Sequence, residues 1–480
     1  MKIVFVISEA ENYAVQLFSA LLKPLGHEVF LIFDPRLFNN DEVRNRRFAQ
    51  FFNIRKENVK KIRCINPHLV GFSVYTQDYQ WALGMARMIK EIIPTMPIIF
   101  GGIHCILCPE QVIREDCVDI VCVGEGEKAI VQLLTENHTE VRNLWFKSGG
   151  LIKRNGLNPL IQDLDSLPFL DRDILYEQKP VFKRDYSIST GRGCPYSCTF
   201  CASDALNRQY REKKLGKPVR QRSVENVINE LMLAKEKYHP RSIYFTDDVF
   251  TLNIHWLENF SKLYSEKVNL SFYCTANPGT IKEKEIYLLK EAGCQMIGFG
   301  MQSCNEEYRK LYLKRYGTNE HIKKIAQLCR ELKIYFSFDH IFNLPNEPIE
   351  NQYEALRFYN ETRPDIINTF TMTYLPKIEL NKFLDDKTKE EVNNGKIRTG
   401  MFIRNKDYFS SMFILLPLLS QHWFTFLIKN HWRFRFPFWV RLILKDIKRL
   451  MMGRYSDVFF PIRLLLTNIK DNLLIKCGLR

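Results

Sequence analysis

Short apolar runs recur through the first 135 positions, and the residues between them fall at helical spacing. Residues 3–7 are continuously apolar and rich in Val and Ile, the pattern of a strand buried on both faces of a parallel sheet. Val15, Phe18, Leu21 and Leu22 then predict a helix that ends near Gly26, and residues 29–33 predict the next strand. Further strands are expected at 69–73, 98–100 and 118–123, with helices over 79–93 and 109–114. Strands separated by helices imply βαβ crossovers, so residues 1–136 are expected to form a doubly wound α/β domain around a parallel sheet.

Ligands of such sheets bind at the carboxyl ends of the strands. Three polar or glycine-rich turns fall there: Ser73-Val74-Tyr75-Thr76, Gly101-Gly102-Ile103-His104 and Gly124-Glu125-Gly126-Glu127. Glycine pairs also serve simply to start a helix tightly, and His104 alone reads more readily as a hydrogen-bonded loop residue than as a metal ligand. All three turns share one sheet edge, which favours a ligand site. Cys105 and Cys108, with Cys117 and Cys122 beyond, read either as a second metal or redox site or as buried core thiols.

Residues 137–185 read as an extended linker, punctuated by Leu167-Pro168 and Lys179-Pro180. A strand over 186–190 then leads into Gly191-Arg192-Gly193-Cys194-Pro195-Tyr196-Ser197-Cys198-Thr199-Phe200-Cys201. Cys194, Cys198 and Cys201 in one tight turn can share an iron–sulfur cluster. A four-iron cluster takes four ligands and the loop offers three, so one iron keeps an exchangeable position. Structural zinc takes four protein ligands, and no fourth Cys or His lies in the loop.

Downstream the β/α rhythm returns. Ser223 is placed to cap a helix with Val224, Val227, Ile228 and Leu231 on one face. Strands are expected at 242–245, 270–274, 296–300, 335–340 and 367–371, with helices that include 283–292 and 320–332. With 186–190 this gives six β/α units over residues 186–380, a partial (β/α)6 barrel whose chemistry belongs at the strand carboxyl ends.

Composition adds one feature. Of 480 residues, 69 are Lys or Arg and 54 Asp or Glu, a formal charge of +15, and the 46% hydrophobic content is that of a globular chain. Thirteen Cys are too sparse for a secreted disulfide scaffold, and the short apolar N-terminus has no signal-peptide pattern, so the cytoplasm is the expected compartment. From Gln421 to Arg480, 12 Lys and Arg face 3 Asp, so +9 of the +15 sits in the last sixty residues, among aromatics such as Trp432, Phe434, Phe436, Phe438 and Trp439. Residues 408–428 carry no charge but are broken by Ser410, Ser411, Pro417 and His422. The region 381–480 is thus expected to be helical, either touching an anionic membrane surface peripherally or capping the barrel mouth. No nucleic-acid module accompanies the basic charge, and none is expected as a partner.

The three-cysteine loop resembles that of the radical SAM superfamily. The order of domains is similar to the subgroup in which a cobalamin-binding domain precedes the barrel, over residues 1–380. The resemblance implies a [4Fe–4S] cluster on Cys194, Cys198 and Cys201, S-adenosylmethionine (SAM) on the open iron, and cobalamin at the N-terminal sheet edge. It also places Thr246, Asp247 and Asp248 where the family receives the SAM ammonium. Gln302 and Ser303 stand in a Gly-x-Glu-Ser-like segment, with Gln for the usual Glu. Arg315 matches an Arg that pairs with the SAM carboxylate, and Asn343-Leu344-Pro345 a Gly-x-Pro segment near adenine, where Phe200 would also sit. On residues alone, Asp247 or Asp248 could instead cap a helix, and Arg315 could be an exposed helix residue. One motif is missing: the first turn reads Ser8-Glu9-Ala10-Glu11-Asn12, without the Asp-x-His-x-x-Gly whose His ligates cobalt, so a domain that has lost cobalamin is an alternative.

The expected activity is reductive cleavage of SAM to a 5′-deoxyadenosyl radical that takes hydrogen from an unactivated carbon. Cobalamin-dependent methyl transfer to that carbon is the leading outcome. Radical ring closure or rearrangement is the second, and a non-enzymatic cobalamin or cluster sensor the third. The expected partners are a small-molecule substrate, apolar by the hint of the tail, and an electron donor such as a flavodoxin or ferredoxin. A monomer is expected.

Overall fold

The computed structural model describes residues 1–39, 46–136, 139–393, 398–399, 406–430 and 455–476, with Phe436, Val440 and Leu444. The chain divides into two compact units. The first comprises Met1–Phe182, Arg208–Lys217 and Phe460–Arg480, and the second Lys183–Asn207 and Pro218–Phe459.

In the first unit, strands β1 (Lys2–Ser8), β2 (Glu28–Asp34), β3 (Leu69–Ser73), β4 (Ile98–Gly101) and β5 (Ile120–Cys122) form a parallel sheet in the order β2-β1-β3-β4-β5. Residues 3–7 of β1 are all buried, as a central parallel strand requires. The helix Tyr13–Leu22 starts where Asn12 accepts from Val15 N at 3.2 Å, and Gly26 ends the following turn at φ +80°. β3 meets β1 so closely that a Cβ on Gly71 would lie 2.7 Å from the Phe5 ring.

The segment expected as a linker is largely folded. β6 (Leu144–Ser148) and β7 (Leu151–Arg154) form a hairpin that extends the sheet antiparallel from β5. Gly149 and Gly150, at φ +56° and +79°, supply the two left-handed positions of a two-residue hairpin turn, a signal the sequence carried in plain view.

The second unit holds six parallel strands in chain order: β8 (Asp185–Ile188), then past the short β9 (Gly191–Arg192) and β10 (Arg220–Gln221), β11 (Ser242–Phe245), β12 (Ser271–Ala276), β13 (Cys294–Gln302), β14 (Tyr335–Phe342) and β15 (Ile366–Thr371). This is the expected partial barrel. Ser223 caps the helix Val224–Tyr238 by accepting from Asn226 N at 3.1 Å, and Val224, Val227, Ile228 and Leu231 are buried. Phe245, Phe250, Phe260 and Phe272 pack edge to face or tilted between strands and helices, which fixes β11 and β12 against their covering layer.

The described tail is mainly a flank. Helix Lys406–Leu415 buries Tyr408, Phe409, Met412 and Phe413, and Phe413 stacks on Phe342 at 5.9 Å and meets Tyr359 at 5.2 Å. The first part of the uncharged stretch is therefore core against β14 and the helix Ile349–Thr362. On the helix Gln421–Lys429, Trp423 and Phe426 remain exposed. The second half of helix Tyr455–Lys476 belongs to the first unit, where Asn468 and Asp471 accept from Lys179 Nζ at 2.8 and 2.5 Å and Asn472 donates to Phe52 O. Among the described residues no helix is long and apolar enough to cross a membrane. The aromatic–basic run from Trp432 to Trp439 lies, Phe436 apart, outside the described residues.

The Phe5–Gly71 contact gives a stability prediction. Gly71→Ala inserts a methyl against a buried ring and should cost about 1–3 kcal/mol, read as a lower first transition in thermal unfolding.

Candidate functional site

The cysteine loop leaves β8 and is held by backbone at its neck. Gly191 and Arg192 pair antiparallel with Gln221 and Arg220. Gly193 has φ +82°, and a Cβ there would lie 2.4 Å from Pro218 O, so no other residue fits. Asn207 Nδ2 donates to Cys194 O at 2.7 Å, and Cys201 N to Cys198 O at 3.1 Å. Between the last two thiols, Thr199 Oγ1 donates to Tyr312 O at 2.5 Å and Thr199 O accepts from Leu380 N at 2.8 Å. Every turn of the loop is thus tied to a different segment.

Cys198 is buried, whereas Cys194 and Cys201 are partly exposed. Burial pushes the Cys194 thiol up to about 12, and Asp248, Cys198 and Cys201 add to the rise. Burial also raises Cys198, with Arg315 pulling it back down and Cys201 adding to the rise. The thiols are therefore electrostatic neighbours. Yet among the described residues no three His, Cys, Asp or Glu are gathered as a site for a metal ion. Three thiols that act on one another, in a loop with no fourth Cys or His, fit a cluster that spans them better than a closed four-ligand zinc shell. Bound iron would deprotonate them despite the burial.

Arg315 is not an exposed helix residue. It follows the helix Glu306–Leu313 through Lys314 at φ +51° and donates from Nη1 to Cys198 Sγ at 3.7 Å. Gln302, at φ +69°, sits at a bulge at the end of β13. Its Nε2 lies 2.8 Å from where a Cβ on Gly300 would stand, and Arg315 Nη2 lies 3.4 Å from the same point. The bare Gly300 backbone thus lets Gln302 and Arg315 gather beside Cys198. Asn343 has φ +63°, the left-handed conformation that explains why Asn can replace Gly there. Phe200 packs against the apolar cluster of Ile341, Leu344 and Tyr374, next to Asn343.

Asp247 serves as a tie within the barrel. Both its oxygens accept from Thr190 N at 3.0 Å, and Oδ1 also accepts from Thr190 Oγ1 at 2.9 Å, which ties the end of β11 to the end of β8. It caps no helix, since Asn253 caps Ile254–Leu263. Desolvation raises its carboxyl to about 6. Asp248 Oδ2 accepts from Ser203 Oγ at 3.0 Å beside the cysteine loop, and Thr246 Oγ1 donates to Ile188 O at 3.3 Å. Ser303 is buried and donates to Glu347 Oε1 at 2.6 Å.

Sequence reading passed over Glu347, Asn207 and the inward positions of the barrel strands. Tyr244 and Tyr273 stack at 4.5 Å and 9°, and Asp339 accepts from Asn368 at 3.0 Å. Alternation with the buried Ile243 and Phe245 could have flagged Tyr244; the others show no local signal.

In the first unit the edge turns divide. His104 is fully buried, lies tilted by 38° against Tyr79 at 4.1 Å and approaches Thr76 Oγ1 at 3.3 Å through Nδ1. Burial lowers it to about 4, so it is neutral. Its Nε2 and the Ser8 hydroxyl are buried without a hydrogen-bond partner among the described residues. Gly102 has φ +96°, and a Cβ would press on Val74 backbone. Ser73, Gly101 and Gly102, partly exposed at the ends of β3 and β4, would line a cobalamin at this edge, whereas burial closes His104 off from it. No His stands in the first turn, where Glu9 instead pairs with Arg36 at 3.0 Å. The third turn is filled by the chain itself: Cβ atoms on Gly124 and Gly126 would strike Tyr210 and Phe18, and Glu125 accepts from Ile161 N. Cys105 and Cys108 are buried core thiols outside any disulfide, with Cys105 donating to Gly101 O.

Comparison with known proteins agrees with both halves. The radical SAM superfamily model matches residues 188–359 and the B12 binding domain model residues 6–134. An uncharacterized methyltransferase of Pyrococcus horikoshii is 29% identical over 62% of this chain and 65% of its own. The anaerobic magnesium-protoporphyrin IX monomethyl ester cyclase of Cereibacter sphaeroides is 24% identical over 69% of this chain and 55% of its own. The chain thus spans about three fifths of the length of these relatives. Among solved structures, the cobalamin-dependent SAM radical enzyme OxsB superposes with a TM-score of 0.66 at 17% identity, over 100% of this chain and 80% of that one, a likeness of fold.

Two predictions follow from this geometry. Gly193→Ala should lower iron retained after reconstitution at least about threefold, since the new Cβ must displace the Pro218 carbonyl. Asp247 carries a raised carboxyl, so its stabilising contribution is present below the ordinary carboxylate range and lost as pH rises through about 6. Relative to Asp247→Asn, the native protein should lose up to about 3 kcal/mol between pH 4 and 7, measured by unfolding at each pH.

Proposed function

Taking as premise that one chain carries a B12-binding domain ahead of a radical SAM domain, we propose a cobalamin-dependent radical SAM enzyme that methylates an unactivated carbon of a small molecule. The carrying observation is the loop that presents Cys194, Cys198 and Cys201 with Arg315 at Cys198. When bound, the cluster with SAM supplies hydrogen abstraction, and cobalamin supplies a transferable methyl. The protein's own part is positional. The three thiols hold the cluster and leave one iron without a protein ligand. Arg315 places a cation where a SAM carboxylate would lie, and Gln302 offers a neutral amide beside it. Phe200 and the left-handed Asn343 give a flat apolar wall with a turned backbone, suited to a purine.

An electron donor such as a flavodoxin or ferredoxin would supply the reducing equivalent. Trp423 and Phe426, exposed beside Lys429, support a peripheral surface contact of the tail and an apolar substrate. Radical ring closure is the second reading, favoured by the name of the cyclase relative.

The deciding measurement is anaerobic incubation of reconstituted protein with SAM and dithionite. The native chain should form 5′-deoxyadenosine, and Cys198→Ala should reduce it by about 1000-fold or more; undiminished formation in that variant overturns the reading. Product mass separates the outcomes, since methyl transfer adds CH2 and ring closure removes two hydrogens.

A further inference from the structure

β13 ends in the left-handed Gln302 and the loop after β14 begins with the left-handed Asn343, and both are assigned to SAM by the reading above, on which this inference rests. A buried carboxylate joins them. Glu347, in the loop after β14, accepts from Ser303 Oγ at 2.6 Å through Oε1 and from Gln352 Nε2 at 2.9 Å through Oε2. Behind it, Gln352 Oε1 meets His340 Nε2 at 2.9 Å, and His340 Nδ1 meets Tyr359 OH at 3.0 Å. Ser303, Gln352, His340 and Tyr359 are all at most 1% exposed.

Burial raises the Glu347 carboxyl to about 7, so it is ionised above that pH, and there the chain has one direction. A carboxylate only accepts, so Gln352 turns its NH2 to Glu347 and its carbonyl to His340. His340 must then carry its proton on Nε2, leaving Nδ1 to accept from Tyr359. Burial lowers His340 to about 4, which keeps it neutral. The Ser303 proton is likewise committed to Glu347, so the hydroxyl turns only lone pairs elsewhere. Arg309 Nη1 fixes the Ser303 carbonyl at 2.9 Å, and Tyr308 OH donates to Pro345 O at 2.5 Å as a second tie between the loops.

We propose that Glu347 is a positioning residue for SAM: by accepting the Ser303 hydrogen bond it bolts the Gln302 loop to the Asn343 loop and so holds both left-handed residues in place. The role belongs to the acceptor oxygens, not to bulk. In Glu347→Gln the Gln352 amide can flip and the His340 tautomer exchange, which preserves an oxygen for Ser303. In Glu347→Ala no acceptor remains.

Equilibrium dialysis of the reconstituted holoenzyme against SAM without reductant tests this. Glu347→Ala and Ser303→Ala should each weaken binding about tenfold, the double variant no more than either alone, and Glu347→Gln less than about threefold. In turnover the KM for SAM should rise more than kcat falls. Should Glu347→Ala lose iron or unfold early, Ser303→Ala decides alone. Native-like SAM affinity in the deciding variant, or full additivity in the double, overturns the proposal. Absence of SAM binding by the native holoenzyme overturns the functional reading instead.

Discussion

Three thiols can share one cluster only if the backbone carrying them is folded back on itself and kept there. Here the bend is held at its neck, where Gly193 lies against the Pro218 carbonyl with no room for a side chain, and β9 and β10 close the ladder beside it. Burial makes thiolates costly in this pocket, so the loop must be shaped by neutral hydrogen bonds before any metal arrives. Asn207, Tyr312, Leu313 and Leu380 provide them. Among the described residues, Arg315 contributes the cation that touches a loop sulfur directly.

A parallel sheet gathers chemistry without help from sequence neighbours. Each of its strands ends on the same side, so residues far apart in the chain meet there. The Thr190–Asp247 tie joins the ends of β8 and β11, and the Ser303–Glu347 tie joins the loops after β13 and β14. Such ties spend polar side chains on shape. They explain why Asp247, a carboxylate at the expected place, is already committed to the protein.

What could be read from the sequence follows the range of the interactions. The run at 3–7, the Ser223 cap and the exact span of β11 rest on periodicity and local hydrogen bonds, so they were legible. The three-cysteine spacing is local too. The hairpin at Leu144–Arg154 was legible in its Gly149-Gly150 turn but hidden by the proline punctuation that follows. Arg315 could not be separated from a surface helix residue, because only folding brings it to Cys198, 117 positions away. The packing use of Gly124 and Gly126 depends on Tyr210 and Phe18, and no spacing rule reveals those partners.

The docking of Asn468, Asp471 and Asn472 onto Lys179 and Phe52 means that the N-terminal unit is assembled from widely separated stretches of the chain. During synthesis, its sheet emerges hundreds of residues before the helix that completes it. This unit is thus completed only after the barrel strands have been made, and a nascent chain must carry its bare flank until that helix has emerged.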